Sequence, residues 1–357
     1  MVAGLRDTPT RDHGLGLAYL ACAFDHAGVS PDPPLALSVI LMSNSILYVY
    51  EGFKNPGDSF SYCGARHYIN ESIPVVCEQS AMLRSTKDIP SRLDLSGPDL
   101  VVFAGAPWFW EGCTKSVKYA GAYAFLQMTP NVRKVAIGVG SCFLANHTKS
   151  EIESIIKSEH RELQLFWKSF DLIIVRDILA WWILSLVGVE AVLAPCPSIA
   201  VGDWYGRISV DGGIVILSEP LEKNFMYSYM SKEDEISYLA MVERLTKAGA
   251  ANMEWVLKDR STLASRSLKS MCQEVEAAQA STFFTARVHA ALVAMGMGLR
   301  GDLLALDSRA LSAKLHGATL VGSHAEAFCD LSDQLEVVAP PVADIGDSIH
   351  HSLETLL

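Results

Sequence analysis

Short apolar runs recur along the chain, and between them apolar residues return every three or four positions. Such runs are what strands buried on both faces of a parallel sheet look like, and the intervening periodicity is that of crossover helices. The runs 46–50, 100–104, 134–139, 172–175, 191–194, 213–217, 253–257, 282–285 and 303–306 predict strands, and 149–169 and 232–248 predict helices long enough to cross between them. A turn-rich stretch at 201–211 separates two such series. The expected organisation is a Rossmann-like domain over 45–205 and a second over 206–325. Residues 1–44 form an N-terminal extension without an assigned role, and 326–357 form a tail expected to pack back on the first domain. Two doubly wound α/β domains facing each other would gather the loops at their strand C-termini around one cleft.

A length of 357 residues suits two cores of ordinary size. Half of the residues are apolar and 19% are charged, a composition that folds rather than stays disordered. The net charge of −11 argues against a nucleic-acid partner. It leaves small anions open, because a few placed arginines bind phosphate inside an acidic protein. The eight cysteines form no CxxC pair and have no histidines at zinc-ligand spacing, so no metal site is legible and reduced thiols in a cytoplasmic setting are expected. The apolar stretch 34–50 is interrupted by Ser38, Ser43, Asn44 and Ser45, and 178–189 is only 12 residues long. Both fall short of the ~20 residues of a membrane helix.

Candidate chemistry collects where strands end. Asn55-Pro56-Gly57-Asp58 follows the first strand. Gly57 would let a ligand approach the backbone beside helix amides, and Asp58 is either a ligand contact or a plain N-cap. The run 100–104 leads into Gly105 and Trp108-Phe109-Trp110, which form either a sugar-stacking lip or core aromatics. Gly138, Gly140 and Ser141 offer loop amides but lack the third glycine of a dinucleotide fingerprint. His147 follows within reach of that loop and is the candidate for a second acid–base group. Arg176 stands at a strand end beside Asp177, where a guanidinium can hold an oxyanion with two parallel bonds. Ser198 tips a rigid Pro-Cys-Pro turn. Most pointed is 283–291: a strand delivers Arg287 and His289 straight into a small-residue helix, placing a permanent cation and a titratable ring beside helix amides.

Four segments together resemble the polysaccharide pyruvyl transferase family: NPGDSFS, DLVVFAGA, IIVRD with its downstream PCPS, and TARVHAALVAMGMG followed by LLALDSR. Their order and spacing agree over about residues 45–325. The resemblance implies a fold like the two-domain GT-B glycosyltransferases and transfer of pyruvate from phosphoenolpyruvate onto sugar hydroxyls as a ketal. Arg287, His289 and Arg176 then correspond to the donor site, with His289 as general acid and no cofactor beyond the donor itself. The acceptor would be a sugar or lipid-linked oligosaccharide, and the latter would bring the protein to a membrane surface. Two departures stand out: PCPS replaces a turn that is acidic in many relatives, and Leu299-Arg300-Gly301 replaces a Gly-Val-Pro turn. The alternatives are a GT-B glycosyltransferase using a nucleotide sugar, or an inactive sugar- or anion-binding relative. No oligomeric state follows from the sequence.

Overall fold

The structure is a computed structural model that describes residues 44–50, 56–82, 98–209, 212–218, 231–255 and 264–356. The proposed N-terminal extension, apart from Asn44, and Asn55 lie outside the described residues. The first sheet holds β1 (Asn44–Tyr50), β2 (Val75–Met82), β3 (Leu100–Ala104), β4 (Pro107–Phe109), β5 (Arg133–Ser141), β6 (Leu172–Val175) and β7 (Val192–Leu193). Its order is β2-β1-β3-β5-β6-β7, with β4 pairing β5 beyond the main path. The second holds β8 (Ile214–Ser218), β9 (Ala251–Glu254), β10 (Thr282–Thr285), β11 (Arg300–Leu304) and β12 (Thr319–Val321), in the order β12-β11-β10-β8-β9. Every pair is parallel.

The strand pattern explains the layering. Successive side chains point to opposite faces, so Leu47, Val49, Val101 and Phe103 enter one core while Ile46, Tyr48, Val102 and Ala104 enter another. Helices cover both faces. Each sheet reverses its winding once, between β1 and β3 and between β8 and β10, and these are the places where doubly wound sheets take ligands. Two such domains with their strand C-termini turned toward each other make a GT-B-like architecture.

The domains share one apolar core. Phe60 stacks on Trp255 across the junction, ring centroids 5.5 Å apart, and both are buried. The helix Val288–Gly296 lies close against Pro197–Trp204, where a Cβ on Gly296 would overlap Ile199 and one on Gly202 would overlap Gly296. The chain then returns to the first domain. Ile345, Ile349 and Leu353, spaced one turn apart on the helix Ile345–Leu356, are buried in the same cluster as Ile46, Tyr48 and Ile69. At roughly 2 kcal/mol for each buried aliphatic side chain, that stripe suffices to hold a terminal helix.

Element bounds depart from the sequence reading in several places. The predicted helix 149–169 is two helices, Lys149–Ser158 and His160–Trp167. Glu159 at the break turns inward, accepting from the N–H groups of Gly112 (2.8 Å) and Thr114 (3.0 Å). Strand β11 begins at Arg300 and ends at Leu304, earlier than the expected 303–306. Strand β5 runs on through Ser141, so Gly138 and Gly140 are strand residues and not an open loop.

Candidate functional site between the two sheets

Three strand-to-helix junctions each deliver an arginine. After β6 the Arg176 N–H bonds Val139 O at 3.0 Å, and Asp177 caps the helix Ile178–Leu186 by accepting from Ala180 N–H at 2.8 Å. After β10 the Thr285 hydroxyl donates to Leu217 O (2.7 Å) and accepts from Arg287 N–H (3.0 Å). That clamp sets Arg287 as the N-cap of Val288–Gly296 and puts His289 in its first turn. After β11, Asp307 takes both the N–H (2.9 Å) and Nε (2.7 Å) of Arg309, and Nη2 reaches its other oxygen. Asp58, buried in the first turn of the helix Pro56–Ser72, supplies counter-charge to Arg287 and Arg309.

His289 is where the domains meet. Its Nε2 lies 2.8 Å from Arg176 Nη1 and 3.3 Å from Ser61 Oγ. Its ring packs on Gly57, where a Cβ would come within 2.5 Å of Cγ. A guanidinium has only donors, so Nε2 accepts and the ring is neutral with its proton on Nδ1. Electrostatics agree. Burial, then the charges of Arg176, Arg309 and Arg287, holds the ring well below the ordinary histidine range. Arg287 itself is lowered to about 10, by burial and by Arg309. Arg176 is fully buried, and among the described residues nothing bonds its Nε or Nη2, the edge that presents two parallel N–H donors. Asp307 and Asp58 offset part of this positive charge, and a bound anion would offset more of it.

An anion would remove part of what depresses His289, raising its affinity for a proton. Between the ring's free and anion-bound pKa, binding therefore takes up a proton, and affinity rises as pH falls through that window. Sulfate, fully ionised near neutrality, is the clean probe. Calorimetry in buffers of different ionisation enthalpy, stepped downward in pH from neutrality, should show fractional proton uptake once the pH enters that window. The uptake should vanish in His289→Gln, and its absence in the parent would mean that the ring does not sense the anion.

The structure sorts the sequence candidates. Arg176, His289 and Gly57 meet, Arg287 lies near enough for its charge to act on His289, and Ser198 joins them through Ser61, the two hydroxyl oxygens 2.9 Å apart. Trp108 does not: it is 4% exposed, packed among Phe103, Phe166 and Trp167 with the Lys118 ammonium 4.3 Å from its ring centre. It is core, not a sugar-stacking lip. Gly105 and Gly138 serve packing, since Cβ atoms there would press on Ser61 and Pro197, at 2.6 Å from Ser61 Cβ and 2.6 Å from Pro197 Cγ. The Gly140 N–H goes to Ala106 O (3.2 Å) and the Ser141 N–H to Asp177 (2.9 Å), so these amides are spent inside the protein. His147 pairs with Glu111 (3.4 Å) and rests on Phe143, and among the described residues it makes no contact with the arginine cluster. Sequence reading missed Ser61, four residues after Gly57, and Arg309. Arg309 stands five residues beyond the end of β11, further from its strand than Arg176 and Arg287 stand from theirs, so position alone did not single it out.

No protein-family model matches the chain, and no curated protein matches it. Solved structures similar to it include an uncharacterized protein from Klebsiella pneumoniae (10% identity, TM-score 0.44, covering 79% of this chain and 94% of that one). The UDP-GlcNAc 2-epimerase from Methanocaldococcus jannaschii is similar at 10% identity and TM-score 0.41, over 88% and 99% of the two chains. The S. aureus MnaA–UDP structure is similar at 12% identity and TM-score 0.44, over 87% and 90%. At this level of similarity nothing about substrate follows.

Proposed function

We propose that this chain is a transferase whose interdomain cations hold phosphoenolpyruvate, and that it moves pyruvate onto two hydroxyls of a sugar as a ketal. The observation that carries the reading is the convergence of Arg176, Arg287 and Arg309 on His289, with the buried Nε/Nη2 edge of Arg176 unused by the fold. A donor with a phosphate and a carboxylate brings enough negative charge to justify three arginines in one place. In the reaction, one sugar hydroxyl adds to C2 of the donor while the methylene gains a proton. Phosphate then leaves with the electrons of its C–O bond, and the second hydroxyl closes the ketal at C2, its proton passing to the departed phosphate. The resting ring is neutral, so His289 is not a ready-made general acid as the sequence suggested. With the donor's charge offsetting the arginines and drawing Arg176 off Nε2, it would take the proton of the attacking hydroxyl and pass it to the methylene. The arginines would stabilise charge on the departing phosphate, an effect worth about 3 kcal/mol per well-placed donor.

The test is phosphate release from phosphoenolpyruvate with a panel of glycosides bearing adjacent or 4,6-related hydroxyls. Acceptor-dependent release with a pyruvate ketal seen by mass is the expected result. Arg287→Ala and His289→Ala should abolish it while the protein stays folded by circular dichroism, with His289→Ala melting below the parent because it removes the partner of Arg176. The same cations would suit the diphosphate of a nucleotide sugar. Stabilisation by a nucleoside diphosphate, with none by phosphoenolpyruvate, would replace pyruvyl transfer with glycosyl transfer.

A further inference from the structure

We infer that Ser308 is a positioning residue: it ties the loop that delivers Arg309 to the loop that delivers Arg176, so that cations from the two domains meet a ligand at a set separation. The inference rests on reading the arginine cluster as an anion site. Ser308 belongs to the second domain, yet its partners are in the first. Its Oγ accepts from Phe143 N–H at 2.8 Å and lies 2.8 Å from Ser141 Oγ, and its N–H donates to Phe143 O at 2.8 Å. Next to it, Asp307 and Leu144 form an antiparallel bridge.

The chain of bonds continues to Arg176. Asp177 accepts from Ser141 N–H (2.9 Å), Ser141 Oγ–H (2.9 Å) and Ala180 N–H (2.8 Å). With that carboxylate ionised the direction is forced: Ser308 donates to Ser141, and Ser141 donates to Asp177. All three side chains are fully buried, so no water competes for the bonds. Asp177 and Arg176 then straddle Gly140, since a Cβ there would fall 2.6 Å from Asp177 Oδ2 and 2.5 Å from Arg176 Nε. At the other end Asp307 grips Arg309 through its N–H and guanidinium. One buried path thus links two arginines on different domains, and Ser308 is its crossing point. Ser141, read from sequence as a ligand contact, is a link in this path.

A ligand with one anionic group can be held by whichever arginines lie nearest, whereas one with two anionic groups needs both loops in register. Ser308→Ala removes the two side-chain crossing bonds, to Phe143 N–H and Ser141 Oγ, and keeps the backbone contacts and the charges. Affinities for orthophosphate, pyrophosphate and phosphoenolpyruvate would be measured by calorimetry for the parent, Ser308→Ala and Ser141→Ala. We expect each variant to lose about tenfold or more on the two-headed ligands the parent binds and to hold orthophosphate within about threefold, the mark of lost register rather than lost charge. Ser141→Ala cuts the same path from the first domain, so it serves if Ser308→Ala fails to fold. Equal loss for all three ligands, or no loss, overturns the inference. A parent that binds pyrophosphate but not phosphoenolpyruvate overturns the pyruvyl-transfer reading and leaves the positioning role to be judged on pyrophosphate. A parent that prefers neither over orthophosphate overturns both.

Discussion

Arg176→Met should melt at a higher temperature than the parent and should no longer be stabilised by phosphate or phosphoenolpyruvate. The two effects have one cause. Arg176 is wholly buried, and its only hydrogen bond to a side chain among the described residues is the 2.8 Å one to His289. Nε and Nη2 have no partner there. Each unmatched buried donor costs about 1–3 kcal/mol, and a buried charge costs more. The neighbouring Asp177 offsets some of this, but its oxygens are taken by Ser141 and Ala180. Methionine has a similar unbranched reach with no polar hydrogen to satisfy. A gain of about 1–3 kcal/mol is expected, a rise of several degrees for a chain of this size. Loss of an oriented two-bond contact to an oxyanion should weaken anion binding about a hundredfold or more. Thermal melts with and without ligand read both quantities. A variant that melts lower than the parent would mean the guanidinium is paired in the fold, and the proposed role of Arg176 as an anion anchor would fall.

Legibility in the sequence followed burial. Strands β3, β6 and β10 coincide with the runs 100–104, 172–175 and 282–285. Each is flanked by strands on both sides and largely buried, so β3 and β6 are wholly apolar and β10 sets two phenylalanines between its terminal threonines. β2 and β12 lie at sheet edges, and β4 is a three-residue strand. Edge strands carry polar residues such as Glu78 and Gln79, which blurs the pattern. The site was half visible. Arg176 and Arg287 stand within two residues of strand ends and His289 in the helix turn that follows, where position alone suggests chemistry. Arg309 stands one turn beyond its strand, and Ser61 sits inside a helix, so only the folded chain shows them beside His289. Trp108 misled because an aromatic after a strand reads the same whether it faces a ligand or, as here, a cage of other aromatics.

Gly57→Ala sets two effects of opposite sign against each other. Gly57 is the second residue of the helix Pro56–Ser72, where alanine is favoured over glycine by up to about 1 kcal/mol. Gly346 occupies the same place in the helix Ile345–Leu356, and a Cβ there meets only the tip of Asp344 at 3.3 Å and the Tyr68 ring at 3.6 Å. Gly346→Ala should therefore stabilise by most of that amount. At Gly57 the new Cβ would lie 2.5 Å from Cγ and 2.7 Å from Cβ of His289, atoms anchored to the backbone that no rotation of the side-chain tip removes. Carbon atoms pack at about 3.5–4.0 Å, so the two helices must separate by about 1 Å. A displacement of that size between groups that act together costs about a hundredfold in rate. It would also pull His289 Nε2 away from Arg176, leaving more of the buried guanidinium unmatched. The sterics win. Gly57→Ala should melt below the parent and lose about a hundredfold or more of its anion binding and turnover, while Gly346→Ala melts above the parent and keeps both. If the two alanines behave alike, the His289 ring does not rest on the start of that helix, and the two domains do not meet there as described.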